Sequence, residues 1–130
     1  MDWKIELIAV PVTDIDRAKD FYLRIGFVLD MDQAVSDDIR FVQLTPPGSA
    51  CSISLGRGLT AMEPGSLDNI QVVVADAEAA LAHLISLGVD ARGVNEFAWG
   101  RFVTFSDPDG NEWALQQLPD YSTNPYAEFA

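Results

Sequence analysis

Cysteine and histidine each occur once in 130 residues, as Cys51 and His83. A lone cysteine excludes an intrachain disulfide. Together the two leave the chain nearly without the nitrogen and sulfur ligands that zinc and its neighbours prefer. Basic residues are scarce as well: 8 Lys and Arg stand against 20 Asp and Glu, for a net charge of −12. Such a surface repels nucleic acid and anionic membrane, so neither is expected as a partner. It would favour a cationic ligand if focused in a cleft, and otherwise mainly promotes solubility. No apolar run approaches the roughly 20 residues needed to span a bilayer. The opening MDWKIELIAV has no basic n-region and no small-residue cleavage site, so the expected location is cytoplasmic. The remaining composition, 48% hydrophobic and 22% charged, is that of a single globular domain.

The chain does contain a repeat. Sixty-two residues separate Val10 from Val72, Val12 from Val74, Asp14 from Asp76, Ala18 from Ala80, Gly26 from Gly88, Pro46 from Pro108 and Gly48 from Gly110. These identities fall on caps and turns, and they imply two copies of one supersecondary unit in a gapless register. Ile5 to Val12 and Leu67 to Val74 are β-branched and apolar and predict buried strands. Asp14 and Asp76 follow as N-caps, with Asp16 and Glu78 in the first helical turns. Ile15, Ala18, Phe21, Tyr22 and Ile25 form one apolar stripe, and Ala77, Ala80, Leu81, Leu84 and Leu87 form another. Gly26 and Gly88 suit left-handed C-caps. Three further extended segments complete each unit, giving the order β-α-β-β-β twice. The fold class is therefore α+β, with one module over about 4–57, a second over about 66–118 and a polar, Pro-broken tail over 119–130. That tail is expected to lie along the surface or on a neighbouring subunit.

Asp107-Pro108-Asp109-Gly110 suits a type I turn between the last two strands, with its charges as solvated corners. Its counterpart Thr45-Pro46-Pro47-Gly48 must turn differently, because Pro is disfavoured at the third position of that turn. A calcium loop would need another spacing, so no metal is expected here.

The paired units, the F-x-x-F-S-D-P-D-G-N-E-W hairpin of the second and the V-T-D-I-D-R-A-K-D-F-Y…G-F run of the first resemble the vicinal oxygen chelate superfamily. That group holds glyoxalase I, bleomycin-resistance proteins, fosfomycin-resistance enzymes and extradiol dioxygenases. The resemblance covers about residues 4 to 118. It implies tandem βαβββ modules forming a curled mixed sheet around a cleft, with the helices on the convex side. The metal-ligand positions of the family's enzymes fall on Leu7, Asn69 and Ala114 and, by the repeat, on Ser52. Leu and Ala cannot coordinate, and neutral Ser and Asn are poor ligands for such metals. No metal and no other cofactor is expected. His83 aligns with Phe21 on the helical stripe and is assigned to the convex packing, and Cys51 is assigned to the helix layer.

If those positions face the cleft, period-two alternation supplies their neighbours. The ligand-binding set is then Leu7, Ala9, Gln43, Ser52, Ser54, Asn69, Gln71, Phe105, Ala114 and Gln116, a floor of amides, hydroxyls and small apolar groups. Phe97, Trp99 and Arg101 lie just before the second hairpin. Trp99 can stack a planar ligand, and Arg101 can hold a carboxylate or phenolate. Glu96 and Asp37 are the foremost candidates for a general base near the rim, with Asp38 beside them. The expected function is metal-free binding of a small molecule, in the manner of bleomycin-resistance proteins that sequester an antibiotic or metabolite. The resemblance implies a homodimer. The rival is a metal-independent isomerase, lyase or cyclase acting on a polar or aromatic metabolite, and a glyoxalase-type metal lyase is a more distant third.

Overall fold

Asp14 and Asp76 open the two helices by accepting the N–H groups of Arg17 at 3.0 Å and Ala79 at 3.2 Å. In this computed structural model, which describes residues 1–120, α1 spans Ile15–Arg24 and α2 spans Ala77–Ser86. Gly26 and Gly88 follow them with φ of 110° and 79°, the left-handed conformation that ends each helix. The strands are β1 (Leu7–Ala9), β2 (Val28–Ala34), β3 (Arg40–Thr45), β4 (Ser52–Arg57), β5 (Ile70–Val73), β6 (Arg92–Phe97), β7 (Gly100–Ser106) and β8 (Glu112–Gln117). The opening strands of the two modules are shorter than the apolar runs that predict them.

They form two four-stranded mixed sheets, ordered β1-β4-β3-β2 and β5-β8-β7-β6, the first pair of each being parallel. The chain divides into two compact units, Met1–Leu67 with Asp107–Asn111 and Asp68–Ser106 with the segment from Glu112 onward.

In the first unit Val10, Val42, Leu44, Ile53 and Leu55 are buried together with Ile15, Ala18, Phe21 and Tyr22 of α1. The alternate residues Gln43, Ser52 and Ser54 therefore point to the opposite face of the sheet. In the second unit Val103, Phe105 and Trp113 join Ala77 and Leu84 of α2 in the core. Phe105 and Trp113 are paired in register, their rings parallel within 6° at 6.1 Å.

The repeat is not gapless. One residue fewer lies between Phe105 and its partner Trp113 than between Leu44 and its partner Ile53. Another residue is lost between α2 and β7, so Val42 and Leu44 correspond to Val103 and Phe105, and Ile53 and Leu55 to Trp113 and Leu115. The two turns are equally long, and the extra residue of the first hairpin lies between its turn and β4. The first hairpin turns over Pro46–Ser49, closed by Ser49 N–H donating to the Pro46 carbonyl at 3.0 Å. Pro47 and Gly48, with φ of 78°, occupy its central positions, as a type II turn requires. The second turns over Asp107–Gly110, as the sequence predicts, with Gly110 N–H on the Asp107 carbonyl at 3.0 Å.

Asp107 is not a solvated corner. It is 5% exposed and accepts four hydrogen bonds, from the Tyr22 hydroxyl at 2.7 Å, Asn111 Nδ2 at 2.9 Å and the N–H groups of Asp109 and Asn111. Asn111, fully buried, also donates to the Pro11 carbonyl at 2.8 Å and accepts from Leu67 N–H. Asp109 holds Thr13 through both its N–H and its hydroxyl.

Each unit also places one arginine over the start of its helix. Arg40 on β3 grips Asp32 through Nε at 3.0 Å and Nη2 at 2.8 Å, and reaches Asp16 at 2.9 Å. Lys19 adds a 2.7 Å contact to Asp32. Asp32 is held far below the usual carboxylate range, first by Arg40 and then by Lys19. Because its folded pKa is depressed, the stabilisation is complete above the unfolded carboxylate value near ~4. It is lost as pH falls from there towards the folded value. Asp32→Asn is expected to cost about 1 kcal/mol near neutral pH and clearly less at about pH 2.5. Paired urea titrations check this, and an undiminished difference in acid would contradict it.

Candidate ligand-binding faces

On the first unit, the face turned away from α1 carries Leu7 beside Ser52, and Ser54 between Ala9 and Gln43. A directional polar row crosses it. The Gln43 amide donates to Ser52 Oγ at 3.3 Å, Ser52 lies 2.7 Å from Thr45 Oγ1, and Thr45 donates to the Asp30 carboxylate. Ser52 and Ser54 are buried, Gln43 is half-buried and Leu7 is exposed.

On the second unit the corresponding face carries Gln71 beside Ala114, Ala114 beside Thr104, and Gln116 beside Phe102. Gln71 Nε2 donates to Gln116 Oε1 at 2.5 Å, and Gln116 Nε2 donates to the Trp99 carbonyl at 2.8 Å. Phe97 and Trp99 stack within 9° of parallel at 5.1 Å, and Phe102 meets Phe97 edge-on at 5.8 Å. Both Phe97 and Trp99 are 53% exposed, so the pair forms an open aromatic shelf joined to the amide row through the Trp99 carbonyl. Gly100 permits the contact: its φ is 152°, and a Cβ there would lie 3.0 Å from Gln116 Nε2. A groove of about 270 Å³ at the hairpin end is lined by Asp90, Arg92, Thr104, Phe105, Ser106 and Glu112.

Several expected site residues lie elsewhere. Phe105 is on the helix-facing side of β7, because one residue fewer lies between α2 and Val103 on β7 than between α1 and Val42 on β3, which inverts its parity relative to Gln43; Thr104 takes the open position. With the further residue missing between β7 and β8, Ala114 corresponds to Ser54, and Glu112 corresponds to Ser52. Asn69 precedes β5 rather than lying on it, with φ of 65° and an exposed side chain. Arg101 is directed to α2: it donates to Glu78 at 2.6 Å, and its Nε stands 3.0 Å from Glu96. Glu78, and to a lesser degree Glu96, raise its already high pKa. Arg101 thus repeats the role of Arg40, and Glu96 is engaged by it. Asp37 sits on an exposed loop. His83 is exposed on α2 rather than packed, and Cys51 is half-buried just before β4. The tail beyond Asp120 lies outside the described residues.

Two βαβββ modules with this ladder and this hairpin are matched from residue 4 to 115 by the model of one family. The chain belongs to the Glyoxalase/Bleomycin resistance protein/Dioxygenase superfamily. Among solved structures it is similar to TnmS3, described as an antibiotic binding protein from Streptomyces sp. CB03234. The two are 38% identical with a TM-score of 0.83, over 91% of this chain and 98% of that one. A glyoxalase/bleomycin resistance protein from the same organism is 39% identical with a TM-score of 0.78, over 88% of this chain and 100% of the other. The Bacillus subtilis (strain 168) protein YetH is 28% identical over 119 residues, 88% of this chain and 98% of its own.

Metal-dependent members of this superfamily imply a divalent ion. The carried-over positions Leu7, Asn69 and Ala114, with Ser54 now the counterpart of Ala114, supply two apolar side chains, a hydroxyl and an amide. That donor set does not fit a transition metal. Among the described residues no three His, Cys, Asp or Glu side chains gather elsewhere.

Proposed function

We propose that this superfamily member is a metal-free binding protein that sequesters an antibiotic or metabolite with a planar aromatic portion. The Phe97–Trp99 shelf carries the proposal: two stacked, half-exposed aromatic rings are tethered through the Trp99 carbonyl to a row of neutral amides. Aromatic shelves bind flat apolar surface, and amides orient it without chemistry. The likeness to TnmS3, named for antibiotic binding, supports the same direction. The enzymatic alternative has less support, since Glu96 is paired with Arg101 and Asp37 has no side-chain partner among the described residues. A homodimer in the cytoplasm is part of the proposal. Val28, Leu29 and Met31 on the edge strand β2 are exposed apolar side chains that a second copy would cover.

Purified protein titrated with antibiotics and aromatic metabolites should show saturable tryptophan quenching, with the ligand recovered unaltered. Turnover of any panel member would overturn sequestration, and a tightly held equivalent of divalent metal would overturn metal independence. Sedimentation should give twice the 14.2 kDa chain mass.

A further inference from the structure

We infer that Gln116 is a positioning residue for the aromatic shelf, acting on a bound ligand through Trp99 rather than by touching it. The inference rests on the binding reading above and assigns to one buried amide the setting of the surface on which the ligand stacks.

Trp99 sits where an aromatic ring is hard to hold still. It belongs to the two-residue loop 98–99 between β6 and β7, and its ring is 53% exposed. A ring on a loose loop tip must be ordered by each ligand that stacks on it, and that ordering is subtracted from affinity. Gln116 orders the loop beforehand. Its side chain is 9% exposed on β8, directly opposite Phe102, and Nε2 donates to the Trp99 carbonyl at 2.8 Å. A carbonyl only accepts, so the amide turns its nitrogen to Trp99 and its Oε1 to Gln71, whose Nε2 donates to it at 2.5 Å. With the backbone held there and Phe97 stacked on the ring at 5.1 Å, Trp99 is restrained from two sides. Gly100 leaves the room: a Cβ on it would also stand 2.9 Å from the Gln117 carbonyl, so a side chain at that position would displace the tether.

The first unit supplies an internal comparison. Phe102 lies opposite Gln116 on the second sheet, and its counterpart Phe41 lies opposite Gly56 on the first. The repeat partner of Gln116 therefore has no side chain. The loop it would have to hold, 35–39 between β2 and β3, reads Val-Ser-Asp-Asp-Ile and carries no aromatic residue. The amide is present in the module that has a shelf and missing from the module that has none. A residue required by the sheet itself would be needed in both. Gln71 is exposed and remains the amide of the row that a ligand can meet, whereas Gln116 is buried and bonded to both Gln71 and Trp99.

The test is a double-mutant cycle with 2-naphthol as the probe, on wild type, Gln116→Met, Trp99→Ala and the double variant. Methionine keeps the length of glutamine and makes neither bond. Gln116→Met is expected to weaken binding by about 3- to 10-fold, the range of one side chain left for the ligand to order. In the Trp99→Ala background the same substitution should change affinity by less than about 2-fold, because the surface it sets is gone. Without ligand, the Trp99 indole of Gln116→Met should show a lower NMR order parameter than that of the wild type. Unchanged affinity in Gln116→Met would overturn the inference. So would an equal loss in both backgrounds, the result for an amide that touches the ligand or merely supports the sheet. If Gln116→Met fails to fold, the wild type decides: magnetisation should pass from bound naphthol to the Trp99 ring, and its passage to the Gln116 side chain would overturn positioning. If naphthol leaves the Trp99 resonance of the wild type unmoved, the binding reading fails and the inference falls with it.

Discussion

Asp107→Ala is expected to destabilise the protein by about 3–5 kcal/mol, the largest effect among its acidic residues. The carboxylate is buried and accepts the Tyr22 hydroxyl, the Asn111 amide and two backbone N–H groups. Removing it strips four donors of their acceptor where water does not easily replace it. The cost is that of stranded partners rather than of one contact. Asp107→Asn keeps the shape but turns an N–H towards donors, so about half the loss should remain. Tyr22→Phe removes one hydrogen bond and should cost about 1 kcal/mol. Denaturant unfolding of the three variants orders these effects. A loss below about 1 kcal/mol for Asp107→Ala would mean that the turn is a solvated corner after all.

Trp99→Ala should weaken binding of a planar aromatic ligand by about 10- to 100-fold, the range of a lost stacking surface. Stability should change little, because the ring is half-exposed and its stacking contact is with Phe97, itself half-exposed. Trp113 is the contrasting case: 1% exposed and stacked on Phe105, it belongs to the core. Isothermal titration of folded Trp99→Ala separates the two roles. Undiminished affinity would remove the shelf from the site.

The cap residues, the helical stripes and the β-α-β-β-β order were legible because each is a local signal, and every local signal occurs twice. Asp14 and Asp76 cap as their spacing implies. Phe105 was assigned to the wrong face because the identities Pro46/Pro108 and Gly48/Gly110 preserve the repeat inside the turns, while the ladders around them do not. A one-residue difference reverses every side chain of a strand, and identity at the turn conceals it. Arg101 was misread although a signal existed: an arginine on the third strand and an acid in the first helical turn occur in both modules, as Arg40 with Asp16 and Arg101 with Glu78. The Gln116–Trp99 link was not legible, since it uses a backbone carbonyl and depends on Gly100 having no Cβ.

The Asp107–Asn111 turn also sets an order of events during synthesis. Asn111 meets the Pro11 carbonyl across 100 residues, and Asp109 meets Thr13 across 96. Most of the first unit precedes the second in the chain, yet its buried polar cluster waits for a pentapeptide that follows much of the second unit. Contacts of such span close late and slow the search. Until residue 111 is free, Thr13, the Tyr22 hydroxyl and the Pro11 carbonyl of the nascent first unit lack the partners they hold in the finished protein, and incompletely packed stages of this kind are the ones open to self-association.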